Sequence, residues 1–313
     1  MSIEHQDLYA SHARRLAPGA ASATGQQAPT DSELEELRSL EPGIEFRVVD
    51  DIELTQGRQS RVSVLEYTKE GEDYRLIWKR MGAGKGLEVD EAEALQVRLL
   101  PYRESLISAG WNIPKLYFSE VVKIDGEAQI YSYEEFIPGG DGEQMVADAS
   151  EPNFRKWHLT EEVISTLINY PPDVVVRREV CGRELTCLPH GLDLKHANVV
   201  LQQGTNKLFF VDLFGPKEVV EDFAWRTFES KLDSLAPERL LAVCATREGA
   251  LLRFWRLARR KWAADKSRRP FLSEQFVERL DSLGLPKIEL DFVASEIHGS
   301  CAWLDGIYSE VEI

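Results

Sequence analysis

The chain has 313 residues, with 37 Lys and Arg against 53 Asp and Glu, and a formal net charge of −16 at pH 7. Hydrophobic residues at 43% and charged residues at 29% are the proportions of a globular chain with a core, which excludes a wholly disordered protein. So large an acidic excess argues against a nucleic-acid partner, because binding DNA or RNA means neutralising phosphates with Lys and Arg.

Residues 1–43 read as an N-terminal extension. The first sixteen mix Glu4, Asp7, Arg14 and Arg15 with no apolar run, unlike a secretory leader. Residues 17–30 are Ala, Ser, Gly, Gln and Pro, the composition of a flexible connector, and Asp31 to Leu37 has the acidic first turn and apolar spacing of a short helix. From Ile44 the pattern changes to period two. Ile44, Phe46 and Val48 alternate with polar residues; Val62, Val64 and Tyr67 follow a break at Gly57; Tyr74 to Lys79 forms a third run after Lys69–Asp73. Residues 88–109 carry Ala92, Leu95, Leu99, Leu106 and Ile107 at helical spacing, with Pro101 expected to break or restart the helix. Two more strands are predicted over Lys115–Val122 and Ala128–Phe136, across the turn at Asp125-Gly126.

Past Ile137-Pro138-Gly139-Gly140 the character changes. Residues 153–169 are predicted helical, stopped by Pro171-Pro172. Leu185–Leu188 and Asn198–Leu201 are short apolar runs around a polar loop, and Leu208–Val211 is a strand ending at Asp212. From Val219 onward apolar residues, Trp225, Phe228 and Leu232 among them, recur at three and four, and the prediction is almost all helix. The fold class expected is α+β: an antiparallel five-stranded sheet with one helix over 44–137, then a larger, mainly helical part over 138–313.

Four cysteines, Cys181, Cys187, Cys244 and Cys301, are too few and too scattered for a disulfide framework or a zinc site, and free thiols are expected. No stretch approaches the ~20 apolar residues of a membrane span. The expected location is cytoplasmic.

The most informative stretch is His190-Gly191-Leu192-Asp193-Leu194-Lys195-His196-Ala197-Asn198, followed by a strand that ends at Asp212. Asp193 and Asn198 are five residues apart, and Asp212 comes fourteen after Asn198. A carboxylate and an amide oxygen across a hairpin suit hard Mg²⁺ held against a nucleotide's phosphates, and a second carboxylate nearby suits an incoming hydroxyl. Asp-Leu-Lys-x-x-Asn with a strand-terminal Asp resembles the catalytic loop of the protein-kinase-like superfamily. It is closest to its small-molecule branch of aminoglycoside phosphotransferases and choline kinases. That resemblance implies a bilobal fold, ATP or GTP and Mg²⁺ as cofactors, and a small-molecule hydroxyl as acceptor. In it Asp193 is the catalytic base, Asn198 and Asp212 are the metal ligands, and Lys195 touches the transferred phosphate.

The same resemblance assigns the upstream residues. Lys79 is similar to the strand lysine that holds the α/β-phosphates, with Glu91, rather than Glu93, as its acidic partner early in the next helix. Gly57 and Ser60 lie in the loop expected to cover phosphates, while Glu135 and Phe136 form the hinge expected to hold adenine through main-chain groups. Glu221-Asp222-Phe223-Ala224 is similar to the motif that braces the catalytic loop. Two departures stand out: Leu192 separates His190-Gly191 from Asp193, and Asp212-Leu213-Phe214-Gly215 replaces Asp-Phe-Gly. Ala236-Pro237-Glu238 reads equally well as a helix start.

Residues 253–269 hold eight Lys and Arg against one acid, Asp265. This run suits an anionic substrate or a membrane surface, or is a helix whose Trp255, Leu257 and Trp262 pack while its arginines snorkel outward. The alternatives to a small-molecule kinase are a protein Ser/Thr kinase, a lipopolysaccharide-type kinase, or an inactive nucleotide-binding regulatory module.

Overall fold

The computed structural model describes residues 46–49, 60–69, 72–81, 87–124, 126–171, 174–213, 217–219, 225–226, 237–262, 266–299 and 301–308. The predicted connector and helix before residue 44, Gly57, and the Glu221–Ala224 motif lie outside the described residues. The fold is α+β with antiparallel sheets. The chain divides into two compact units, Met1–Val97 with Pro114–Ile137, and Arg98–Ile113 with Pro138–Ile313.

In the first unit β1 (Phe46–Val48), β2 (Ser60–Lys69), β3 (Glu72–Met81), β4 (Leu116–Ile124) and β5 (Glu127–Glu135) form one sheet in the order β1-β2-β3-β5-β4. The β2–β3 register runs without a break from Ser60↔Met81 to Lys69↔Glu72. Strand alternation sorts the side chains onto two faces. One face is aromatic, with Leu65, Tyr67, Leu76, Trp78, Tyr131, Tyr133 and Val122 in a single buried cluster. Trp78 meets Tyr131 edge-on at 5.4 Å. The other face carries Val64, Lys79, Met81, Ile130, Ser132 and Glu134, all buried.

Helix α1 (Val89–Ser108) buries Ala92, Leu95, Leu99, Tyr102 and Leu106, a stripe at three- and four-residue spacing. It runs straight through Pro101, where a break was expected. A proline removes the hydrogen bond to the carbonyl four residues back, here that of Val97. Val97, Leu100 and Pro101 are all exposed, so water can take the place of the lost donor.

The second unit is built on a large apolar core to which nearly every remaining element contributes. Helix α3 (Asn153–Ile168) follows the short α2 (Gly142–Ala147) and buries Trp157, Leu159, Val163, Ile164 and Leu167. Helices α4 (Pro237–Cys244), α5 (Arg247–Trp262), α6 (Arg269–Ser282), α7 (Lys287–His298) and α8 (Ala302–Tyr308) complete the helical part. Trp255 of α5 stacks on Phe276 of α6 at 4.3 Å and lies 6.2 Å from Trp157. Thr246 caps α5: its hydroxyl accepts from the Gly249 N–H and donates to the Ala242 carbonyl.

Three small antiparallel sheets complete the unit; the hairpin leading from Asn198–Leu201 to Leu208–Val211 was expected, and the other pairings were not. β6 (Gly139–Asp141) and β11 (Leu208–Phe210) flank β10 (Val199–Gln202). A Cβ at Gly139 would sit 2.1 Å from the Leu201 carbonyl oxygen, so glycine is what lets the two backbones meet. β7 (Val176–Val180) and β8 (Arg183–Cys187) form a hairpin turned by Cys181 and Gly182, both at positive φ. β12 (Lys217–Val219) pairs with both β9 (His190–Gly191) and β13 (Trp225–Arg226). Val219 and Trp225 are thus in strands, correcting the helix predicted from 219. Their apolar spacing fits either period, and cross-strand pairing decides it. All four cysteines are free thiols.

Candidate functional site

The predicted site residues fall into two groups, one in each unit. In the second unit, Leu192 and Leu194 are buried on either side of Asp193, which is only partly covered. The Leu192 N–H donates to the Cys244 carbonyl, and the Leu194 N–H donates back to the Leu192 carbonyl, both at 2.9 Å. The loop is pinned by two leucines, and the residue between them projects away. Leu192 is therefore an anchor for Asp193. Ahead of it, Gly191 accepts a 2.6 Å hydrogen bond from the Tyr102 hydroxyl, and His190 lies half-buried near the Tyr102 ring, its pKa pushed down by burial.

After Lys195 a 3₁₀ turn, His196–Asn198, brings the chain back. His196 is fully buried, lies flat on Phe254 of α5 at 4.1 Å, and has no hydrogen bond at either ring nitrogen. Burial pushes its pKa to about 3, so it packs as a neutral ring. Asn198 closes the loop, its Nδ2 donating to the Asp193 carbonyl at 2.9 Å. With the amide nitrogen turned to a carbonyl, Oδ1 is the amide atom that remains as an acceptor. The Asn198 carbonyl accepts from the Val211 N–H at 2.8 Å, so Asp212 follows one residue beyond that bond. Asn198 Oδ1 and the Asp212 carboxylate are hard oxygen donors that fit Mg²⁺. No group of three or more His, Cys, Asp or Glu able to hold a metal occurs among the described residues. A cation on this pair would draw its other oxygens from phosphate and water.

The charges at Asp193 were not foreseen in full. Lys195 Nζ lies 3.3 Å from Oδ2. Arg253 of α5 bonds Oδ1 through Nη2, while its Nη1 donates to the Tyr308 hydroxyl at 2.6 Å. Burial is the largest single influence and opposes the charge on Arg253, but Asp193, Cys244 and Tyr308 together outweigh it and hold the guanidinium more firmly protonated than usual. The expectation that α5 arginines snorkel outward therefore fails at Arg253. It fails at Arg256 too, which pairs with Asp305 at 2.6 Å.

No protein-family model and no curated protein matches the chain.

In the first unit Lys79 is buried on the face opposite the aromatic cluster and donates to Glu134 Oε2 at 3.0 Å. This replaces the expected partner, Glu91, which sits half-buried in the first turn of α1 and makes no ion pair with Lys79. The register explains it. Lys79 faces Ser132 across the ladder, which puts Glu134 at the diagonal position on the same face, and Ser132 orients it through a 3.0 Å hydrogen bond. Glu93 lies 3.9 Å from Lys123 instead. At the predicted hinge the Glu135 N–H donates to the Lys115 carbonyl at 2.8 Å and so is taken within the sheet. Phe136 follows, half-buried, with the Arg75 guanidinium 5.8 Å from its ring centre. Ser60 begins β2, and Gly57 precedes the described residues of that strand.

Chemically, the Asp193 loop presents a carboxylate braced by two cations, beside an amide oxygen and a second carboxylate. The first unit presents a buried lysine paired with the Glu134 carboxylate. Arg253, Tyr308 and Glu134 escaped the sequence reading. A signal existed for Glu134 alone, since its alternation with Ser132 and Ile130 places it on a buried face.

Proposed function

We propose that the chain is a phosphotransferase of the protein-kinase-like superfamily, moving the γ-phosphoryl group of ATP or GTP to a hydroxyl of a small molecule. In this reading the two units are the two lobes of one catalytic unit. The observation that carries it is the closed loop in which Asn198 holds the Asp193 main chain and leads through one hairpin to Asp212. The Asn198 carbonyl also accepts from the Val211 N–H, which supports placing Asp212 next to the loop.

Asp193 would accept the proton of the acceptor hydroxyl and fix its direction of approach. Asn198 and Asp212 would hold Mg²⁺, which when bound supplies charge neutralisation at the phosphates. Lys195 would pair with the transferred phosphoryl group, and Lys79, oriented by Glu134 rather than by a helix acid, would pair with the phosphates of the nucleotide. Gly57 and Ser60 would belong to the loop that covers the phosphates. Phe136 is the better placed of the two hinge residues to offer its main-chain N–H to adenine, that of Glu135 being engaged.

Replacing Asp212 by Ala is expected to abolish Mg-nucleotide turnover while the protein stays folded by circular dichroism. Turnover equal to that of the unsubstituted chain would sink the assignment.

A further inference from the structure

Among the described residues two cations pair with Asp193, one on each carboxylate oxygen, and they are held very differently. Lys195 sits on the loop itself, its side chain 37% exposed, with the long flexible stem of a lysine. Arg253 is 17% exposed, rises from the middle of a sixteen-residue helix, and is clamped at its other nitrogen by Tyr308. Its neighbours in α5, Phe254 and Trp255, are fully packed against His196 and Phe276. One cation is more than a third exposed on a flexible stem, and the other is clamped at both ends. With Lys195 on Oδ2, an incoming hydroxyl must compete with its ammonium for that oxygen.

We infer that Arg253 is the positioning residue for Asp193, and that nucleotide binding frees Oδ2 by drawing Lys195 away to phosphate. This rests on the reading of Asp193 as the base. Arg253 keeps Oδ1 throughout and so fixes the plane of the carboxylate. In the transfer step the acceptor O–H proton passes to Asp193 Oδ2. The acceptor oxygen forms the new P–O bond, and the bond from the γ-phosphorus to the β–γ bridging oxygen breaks with its electron pair leaving on the nucleoside diphosphate. The charged and polar groups about the pair are Lys195 on the loop, Tyr308 of α8, and Cys244 of α4. The basic run of α5 thereby has a task at its first arginine that neither a membrane nor outward snorkelling requires.

The test uses the full chain and slow hydrolysis of Mg-ATP, with water in place of the acceptor. Arg253→Gln is expected to lower kcat on the order of 10²-fold, the scale of a misplaced catalytic group, with KM for ATP unchanged. Arg253→Lys should recover part of that loss, and Tyr308→Phe should lower kcat less, again at constant KM. Lys195→Ala should raise KM as well as lower kcat. Should Arg253→Gln not fold, Tyr308→Phe decides. An unchanged kcat in whichever of these two folds, while Asp193→Asn is inactive, overturns the role of Arg253 alone. Hydrolysis that is absent from the unsubstituted chain, or unaffected by Asp193→Asn, overturns the base and the inference together.

Discussion

Glu248 offers a prediction that is independent of any catalytic reading. It sits in the first turn of α5, 1% exposed, where it accepts the Thr186 N–H at 2.9 and 3.2 Å and lies 3.5 Å from Arg177. Burial, and then the nearby carboxylate of Glu289, push its pKa from 4.5 up to about 7. Glu289 is itself paired with Arg247 at 3.1 Å and accepts from the Thr186 hydroxyl. A carboxyl with a raised folded pKa binds its proton more tightly in the native state. Its contribution is therefore full below the unfolded value of 4.5 and is lost as pH rises through about 7. The rise from 4.5 to about 7 corresponds to roughly 3 kcal/mol, of which about 2 kcal/mol is lost between pH 5.5 and 8.5. His196 works the other way. Its pKa falls from 6.5 to about 3, so the fold loses stability as pH drops below 6.5, and the two slopes partly cancel in the unsubstituted protein. The informative quantity is the difference from Glu248→Gln, which keeps a carbonyl acceptor for Thr186 and removes the ionisation. Urea unfolding at pH 5.5, 7 and 8.5 should show the variant gaining about 2 kcal/mol on the parent between the two extremes. Parallel curves for the two proteins would refute the reasoning.

Other perturbations have equally definite outcomes. Glu134→Ala removes the carboxylate from a lysine less than a tenth exposed and should cost about 3 kcal/mol in denaturant unfolding. The double substitution Lys79→Met with Glu134→Leu should recover most of that loss, and an additive result would show that the pair does not interact. A Cβ at Gly249 would lie 1.7 Å from the Ala242 carbonyl oxygen, so Gly249→Ala should force α4 and α5 apart and lower stability by roughly 2–3 kcal/mol or more. A thermal midpoint within about 1 °C of the parent would mean that the two helices adjust freely. For Lys79→Met alone, nucleotide-induced thermal stabilisation should be weakened while that of Arg253→Gln is retained.

Much of the first unit was legible because its strands are half-buried and so alternate in sequence: Val62, Val64 and Tyr67 against Tyr74 to Lys79 needed no tertiary information. The elements that escaped lack such a signature. β6 is Gly139-Gly140-Asp141, with no apolar residue to read, and it exists because a bare backbone can approach Leu201. The Cys181-Gly182 turn is a weak hairpin signal when the strand before it is Val176-Arg177-Arg178-Glu179-Val180, mostly charged and mostly exposed. Pro101 misled because propensity is blind to which side of a helix faces water. In the site, Asp193, Lys195, Asn198 and Asp212 are local in sequence and were readable as a pattern. The partners that set their chemistry are not local: Arg253 and Tyr308 arrive from 60 and more than 100 residues downstream, and Glu134 from 55 residues beyond Lys79. Register and helix packing choose such partners, and neither is written at the residue itself.

The aromatic face of the sheet has a use at the bench. Of the seven tryptophans, Trp78 alone belongs to the first unit, buried at the centre of the cluster with its indole N–H lacking an acceptor among the described residues. Trp78→Phe therefore removes an unsatisfied donor as well as a ring, and leaves six fluorophores that all report on the second unit. Subtracting the emission of this variant from that of the parent along a urea titration isolates the unfolding of the sheet. The two units can thus be followed as separate optical channels in one chain, without a label.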